Sequence, residues 1–272
     1  MTSKLPPPNE IASHYNRLMK HLDGQYMYQR WGDSEIKRRH YRQTELGIQF
    51  GLTHVSHLGD VLEIGSGPAV WTTLYLKHAR TAVLLDISEE MLTEARTTLS
   101  NWNDGLYGGK ARYVCGDFLE VVQNNQSYDT IISSRAFEYM SDKPAFVRKC
   151  FTLLRPGGTL LLVTKNHDWL DLRKARRNTE EVPRDQIPVA LALQLDLASP
   201  SSVEEMASAA GFSAVHVYPV VLGSYHAPFD WRPGLAILDA LHRFYYRRPM
   251  SLIPGPLRSL TESFLAVAWK AE

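Results

Sequence analysis

Two glycines one residue apart, Gly65 and Gly67, follow an apolar run that contains Glu63. A turn built on glycine lets the backbone approach a ligand closely, because no Cβ stands in the way. The run before the turn is typical of a strand, and the pattern after it is helical. Residues 61–69 therefore predict a site for a nucleotide-like cofactor at the edge of a parallel sheet.

Residues that can bind or react also follow three other apolar runs. Asp86 ends the second run, roughly 20 residues past the glycines, the distance at which a carboxylate reaches ribose hydroxyls. Asp117 and Phe118 follow the third run, and the polar and aromatic segment 133–139 follows the fourth. Each feature alone also fits a turn, a helix cap or an exposed loop. Their joint occurrence at strand ends favours one ligand site, because ligands bind beyond the carboxyl ends of parallel strands.

The elements that position these residues alternate between strand and helix. The predicted strands cover residues 61–64, 82–85, 111–115, 130–133, 159–163, 212–220 and 264–269, and the predicted helices cover 71–78, 89–99, 144–154 and a segment up to Ala210 that Ser201 or Ser202 caps. Continuous apolar strands separated by helices are typical of a sheet covered on both faces. The pattern predicts an α/β fold with a doubly wound, mostly parallel sheet.

The organisation around this sheet consists of one N-terminal region and two insertions. Residues 1–57 are predicted to form a helical cap, and residues 58–272 a domain with insertions at about 166–199 and 222–259. Tyr28, Arg30 and Trp31 are predicted to belong to a lid over the cofactor and substrate, although packing of these rings on the core explains them equally well. Arg30 offers a partner for a carboxylate.

Composition excludes several classes of protein. The formal net charge of +1 gives no overall field that would attract nucleic acid. Cys115 and Cys150 cannot supply a disulfide framework; both are expected to be buried thiols in a reducing compartment, and no Cys/His grouping has metal-ligand spacing. No apolar run reaches the roughly 20 residues of a bilayer span, and the N-terminus lacks a signal-peptide core. A cytoplasmic protein with a small-molecule substrate and no bound metal is expected.

Four motifs resemble those of class I S-adenosylmethionine-dependent methyltransferases. They are VLEIGSG at 61–67, LLDIS at 84–88 with Met91 after it, CGDF at 115–118, and YDTIIS at 128–133 followed by FEY at 137–139 and LRPGG at 154–158. Ala69 stands where the family often has a third glycine, and alanine is small enough for the same close packing. The resemblance implies a Rossmann-like sheet of seven strands, flanked by N-terminal helices and helical insertions.

The resemblance also implies S-adenosylmethionine as the cofactor and assigns its contacts. Glu63 and the backbone of Gly65, Ser66 and Gly67 would lie along the methionine portion, Asp86 on the ribose hydroxyls, Ile87 and Phe118 on the two faces of the adenine, Asp117 on its amino group, Met91 in the same pocket, and Ser134 near the sulfonium. The predicted activity is metal-independent methyl transfer to a small molecule, with oxygen preferred over nitrogen or carbon as the attacked atom.

Displacement at a sulfonium methyl depends mainly on alignment, which can supply on the order of 7–11 kcal/mol. A general base contributes only where the acceptor must lose a proton. The candidate bases are Glu138, Tyr139, His167 and His226. Three alternatives remain open: a nicotinamide-dependent oxidoreductase, which Val70 disfavours because that fingerprint needs a small residue there; an RNA methyltransferase; and a noncatalytic binding module.

Overall fold

The computed structural model describes residues 6–22, 25–172, 197–223 and 232–272. The strands are β1 (Asp60–Ile64), β2 (Thr81–Asp86), β3 (Ala111–Cys115), β4 (Tyr128–Ser134), β5 (Leu154–Lys165), β6 (Ala214–Leu222) and β7 (Thr261–Trp269). The helices are α1 (Pro8–Leu22), α2 (Glu35–Leu52), α3 (Thr72–Tyr75), α4 (Glu89–Asn101), α5 (Lys143–Leu153), α6 (Pro200–Ala210), α7 (Arg232–Tyr245) and α8 (Gly255–Arg258), with a π-helical turn at Tyr28–Gly32 and a 3₁₀ turn at Phe137–Tyr139.

The seven strands form one sheet in the order β3-β2-β1-β4-β5-β7-β6. Neighbouring strands from β3 to β5 are parallel, and β7 runs antiparallel to both β5 and β6. Glu63 of β1 is paired with Leu84 of β2 on one side and with Ile132 of β4 on the other. The strand order therefore reverses at β1, where a doubly wound sheet forms its ligand crevice. The predicted fold class is confirmed.

Each face of the sheet carries its own hydrophobic core. Leu62 and Ile64 point into the core on one face, and Val61 points into the core on the other. Helix α2 packs on the second face against β5, β6 and β7. Its Gly47 and Gly51 lie against the sheet, since a Cβ would come within 2.9 Å of the Val220 side chain at the first position and 3.0 Å of Leu265 at the second. Helix α2 thus packs closely on the sheet of the domain that follows.

Two helix boundaries differ from those predicted, and side-chain hydrogen bonds lie at both. The helix predicted over 71–78 is regular only in α3 (Thr72–Tyr75). Beyond it, Lys110 Nζ donates hydrogen bonds to the carbonyl oxygens of Leu76, Lys77 and Ala79. Helix α6 is capped by Ser199 rather than by Ser201 or Ser202. Ser199 Oγ accepts from the Ser202 amide at 3.1 Å, and Ser202 Oγ accepts from the Ser199 amide at 2.9 Å.

The expectation that every strand is covered on both faces is wrong for β3. This strand is at the edge of the sheet, where Arg112 and Cys115 are exposed and its other residues are only half-buried. Cys115 is exposed for that reason, whereas Cys150 of α5 is buried as predicted. The predicted insertions at 166–199 and 222–259 fall partly outside the described residues.

Candidate functional site

A cavity lies at the carboxyl ends of β1, β2, β3 and β4, next to the reversal in strand order. Twelve residues singled out from the sequence line it: Gly65, Ser66, Gly67, Asp86, Ile87, Met91, Asp117, Phe118, Ser134, Tyr139, Arg30 and Trp31. Four others, Glu63, Tyr28, Glu138 and His167, are not in the lining. His226 lies outside the described residues. The topology thus gathers four strand ends and part of the N-terminal region at one place.

Asp86 binds the backbone of the glycine turn. Asp86 Oδ2 accepts from the Gly67 amide at 2.8 Å, and Oδ1 accepts from the Ser88 amide at 2.9 Å. Burial raises the pKa of Asp86, and these hydrogen bonds oppose that shift. Gly67 has φ +52°, and a Cβ there would meet no atom within 4 Å. The turn therefore presents bare backbone to the cavity.

Gly65, the first glycine of the turn, is needed for close packing. The amides of Gly65 and Ser66 both donate to the carbonyl of Leu85, at 2.7 and 3.2 Å. Gly65 has φ +69°, and a Cβ there would overlap the Cβ of Ala136. Gly65 is required for close packing of the turn between β2 and the segment after β4.

The side wall of the cavity combines apolar and polar groups. Ile87, Met91 and Phe118 contribute the apolar part, although Phe118 is only 1% exposed and its ring packs edge-on against Phe146. Asp117 Oδ1 accepts from the Leu119 amide at 3.0 Å. The buried hydroxyls of two lining residues, Ser66 and Ser134, have no hydrogen-bond partner within the described chain. Both hydroxyls therefore have unused hydrogen-bonding capacity.

Glu63 lies beneath the turn. Its Oε2 accepts from the hydroxyls of Thr72 at 2.5 Å and Tyr75 at 2.7 Å, and the side chain is buried. Burial raises the pKa of Glu63 to about 7, although the two hydroxyl bonds lower it. The carboxyl thus joins β1 to α3 and supports the turn from below.

The N-terminal region forms the roof of the cavity. Trp31 packs edge-on against Tyr41 and Trp71, with ring centroids 5.9 and 5.8 Å apart, and the Arg30 guanidinium lies 4.3 Å from the centre of the Trp31 ring. Tyr28, by contrast, is 63% exposed. These contacts fix Arg30 and Trp31 in the lining of the cavity that the glycine turn also lines.

Helix α1 completes the roof from the other side. Ile11 and Tyr15 line the cavity, and α1 is docked on the start of α4 by a 2.7 Å hydrogen bond between Ser88 Oγ and Asn16. A Lys20–Glu90 ion pair at 3.2 Å adds to this contact. The sequence predicts a helical cap over residues 1–57, but it does not predict the place of α1 over the cavity.

A buried ion cluster supports the floor below Tyr139. Arg135, with φ +66°, lies 3.0 Å from Glu138 Oε1 through Nε and donates to both carboxylate oxygens of Glu262 at 3.0 and 3.2 Å. Burial alone would raise the pKa of Glu262, but the charges of Arg135 and Lys165 hold it well below its usual range. Glu138 Oε1 also accepts from the Lys165 amide at 3.0 Å. Glu138 is therefore held in this cluster through its Oε1.

The remaining candidate bases differ in their access to the cavity. His167 is half exposed, and its Nδ1 lies 3.0 Å from Asp168 Oδ1. Tyr139 lines the cavity, and burial followed by the Glu138 charge raises its pKa to about 12. Its ring meets Tyr15 edge-on, with centroids 5.8 Å apart. Among the candidate bases that the structure describes, Tyr139 is the one that lines the cavity.

The described residues contain no group of three His, Cys, Asp or Glu side chains that could hold a metal ion. None of the described helices is both long and apolar enough to cross a membrane.

Comparison with known proteins supplies the family. Residues 61–158 match the family model described as a methyltransferase domain. A probable S-adenosylmethionine-dependent methyltransferase of Mycolicibacterium smegmatis is 28% identical over 200 residues, which are 74% of this chain and 69% of that protein. The chain is a class I S-adenosylmethionine-dependent methyltransferase.

Other proteins similar to this methyltransferase are named for different acceptors. The ubiquinone biosynthesis O-methyltransferases of Coxiella burnetii and Rattus norvegicus are 24% and 22% identical, over 40% and 72% of this chain. The matches span only 44% and 56% of those two proteins. A Thermotoga maritima methyltransferase, titled a possible histamine N-methyltransferase, superposes with a TM-score of 0.59 at 14% identity, covering 95% of this chain and 99% of that one. This likeness confirms the fold.

Proposed function

We propose that this methyltransferase transfers the methyl group of S-adenosylmethionine to a small-molecule acceptor, with oxygen as the attacked atom. The single observation that carries the proposal is the cavity that joins the glycine turn and Asp86 to a roof formed by α1 and the segment 26–31. A roofed cavity suits a small acceptor better than an extended polymer. The likeness to ubiquinone O-methyltransferases supports oxygen over nitrogen.

The donor set fits S-adenosylmethionine. The two Asp86 oxygens each accept one backbone hydrogen bond, which leaves lone pairs on both for the ribose hydroxyls. The bare backbone at Gly67 admits the ligand without a steric clash. Asp117 would accept from the adenine amino group, and Ile87 and Met91 would pack on the ring.

The methionine end of the ligand is assigned to the other half of the cavity. The orphaned hydroxyls of Ser66 and Ser134 would gain partners there. The Arg30 guanidinium, stacked on Trp31, would bind the methionine carboxylate or an acidic group of the acceptor. Glu63 is assigned a supporting role under the turn, because it is absent from the lining.

Bound S-adenosylmethionine supplies an electrophilic methyl group on a sulfonium. The chain's part is to align the acceptor and exclude water, which the rings of Tyr15 and Tyr139 and the side chain of Ile11 can do. The Tyr139 hydroxyl lines the cavity and, with its raised pKa, stays protonated near neutral pH, so it would donate a hydrogen bond to the acceptor oxygen. An acceptor that ionises by itself needs no base from the protein.

The experiment measures methyl transfer from radiolabelled S-adenosylmethionine to a panel of phenols, carboxylic acids and amines, and to RNA. We expect label on oxygen acceptors. Label only on RNA or only on amines would contradict the proposal. Tyr139→Phe is expected to lower kcat by about tenfold with little change in donor affinity, since one neutral hydrogen bond contributes about 0.5–1.5 kcal/mol. Tyr113→Phe, on the edge strand β3, is the matched control and should have no effect.

A further inference from the structure

Helix α7 carries an exposed stripe that combines apolar and cationic side chains. Ile237 and Phe244 are 57% and 56% exposed, and they are seven residues apart, so they project from the same side of the helix. Ala240 lies between them and is also exposed. We call Ile237, Ala240, Phe244 and the adjacent arginines the α7 stripe.

The charge of the α7 stripe has one sign. Arg243, Arg247 and Arg248 are exposed, and the Arg248 guanidinium lies 4.0 Å from the centre of the Phe244 ring. The one acidic residue of α7, Asp239, is turned away and bonds to Arg39 of α2 at 2.5 Å. The whole chain has a net charge of only +1, so this is a local concentration of positive charge.

The opposite side of α7 is firmly attached to the fold. Leu235 and Leu238 are buried, and His242 Nε2 lies 2.8 Å from the carbonyl oxygen of Val220 in β6. Burial lowers the pKa of His242 to about 4, so the ring is neutral at physiological pH and does not add to the charge of the stripe. Helix α7 therefore presents the stripe as a rigid surface.

We propose that the α7 stripe docks this methyltransferase on an anionic lipid bilayer. Exposed aliphatic and aromatic side chains gain free energy in the interface between head groups and acyl chains, while arginines at the same level bind lipid phosphates. Charge complementarity selects anionic lipid, because three cations face outward with no acid among them. The proposal does not depend on the identity of the methyl acceptor.

Nucleic acid is the less favoured occupant of the same surface. Single-stranded nucleic acid binds by stacking bases on exposed aromatic faces. Here Arg248 already covers the Phe244 ring, and Ile237 has no aromatic face to offer. Both features suit shallow insertion into lipid.

The test is co-sedimentation of the full chain with vesicles. One set contains phosphatidylcholine alone, and the other contains phosphatidylcholine and phosphatidylglycerol in about equal parts. We expect binding to the second set only, weakened by salt. Replacing both Arg247 and Arg248 by Gln should lower the partition coefficient roughly 30-fold, because each arginine near an anionic surface contributes about fivefold.

Substitutions of single apolar residues give the matched comparison. Phe244→Asp should abolish vesicle binding, Phe244→Trp should preserve it, and Val122→Asp should leave it unchanged although Val122 is 93% exposed. Donor binding by calorimetry checks that each variant is folded. Equal binding to both vesicle sets, equal loss in Val122→Asp and Phe244→Asp, or binding of RNA in place of vesicles would overturn the proposal.

Discussion

Replacement of Asp86 by alanine tests the proposed adenosyl site most directly. In the folded protein Asp86 Oδ2 accepts from the Gly67 amide and Oδ1 from the Ser88 amide, and the residue lines the cavity. Hydrogen bonds to a charged group contribute about 1.5–3 kcal/mol each. Loss of two such bonds to the ribose hydroxyls, partly offset by water entering the site, should cost at least about 2.7 kcal/mol, or 100-fold in affinity.

The assay is calorimetric titration with S-adenosylmethionine and, separately, with S-adenosylhomocysteine. Both ligands carry the same ribose, so the two dissociation constants should rise by the same factor. The orphaned amides of Gly67 and Ser88 should also lower the free energy of unfolding by about 2–4 kcal/mol. The calorimetric titration should therefore be made at a temperature where a denaturation curve shows that the variant is fully folded.

Asp129→Ala is the matched control. Asp129 Oδ2 accepts from the Asp60 amide at 2.7 Å and pairs with Arg155, but it lies at the opposite end of β4. This variant should lose stability and keep its affinity for the donor. A folded Asp86→Ala protein with unchanged affinity for both ligands would refute the assignment of Asp86 to the ribose.

Three further predictions concern the support of the site and the fold. Gly65→Ala should lower the free energy of unfolding by several kcal/mol, because its Cβ would overlap that of Ala136. Gly67→Ala should lower it by only about 1–2 kcal/mol, through its positive φ, yet weaken donor binding. Equal stabilities of the two variants in chemical denaturation would contradict this contrast. Because the pKa of Glu63 is raised to about 7, the folded state holds a proton that the unfolded state loses near pH 4.5, so the free energy of unfolding should fall as pH rises between those values. Glu63→Gln should remove on the order of 2–4 kcal/mol of this dependence, and parallel pH profiles for the two proteins would argue against it. Ser199→Ala should cost about 1 kcal/mol through loss of the α6 cap, with methyl transfer unaffected; a loss of activity at constant stability would show that the cap has another role.

The sequence predicted the sheet and one wall of the cavity because both depend on local patterns. Apolar runs mark the strands, and parallel topology brings the residues after β1, β2 and β4 to one edge, so the neighbourhood of Gly67, Asp86 and Ser134 followed without coordinates. The cap of α6 was also within reach, since Ser199 precedes a proline at the first helical position.

The parts that sequence reasoning missed depend on distant partners. Glu262 lies near the start of β7, just before its apolar run, and gives no local sign of function, yet it pairs with Arg135, 127 residues earlier. The exposure of Cys115 depends on β3 being the edge strand, which its own apolar sequence does not show. Tyr15 reaches the cavity only because α1 docks on α4, a contact between helices that propensity cannot predict.

The position of β7 affects how the chain must assemble. The strand that pairs with both β5 and β6 is the last of the seven to be synthesised, so β5 and β6 each expose an open backbone edge until β7 arrives. Newly made chains should therefore need protection from intermolecular strand pairing late in translation. A stop codon placed just before residue 261 should produce insoluble protein, because it would remove an interior strand.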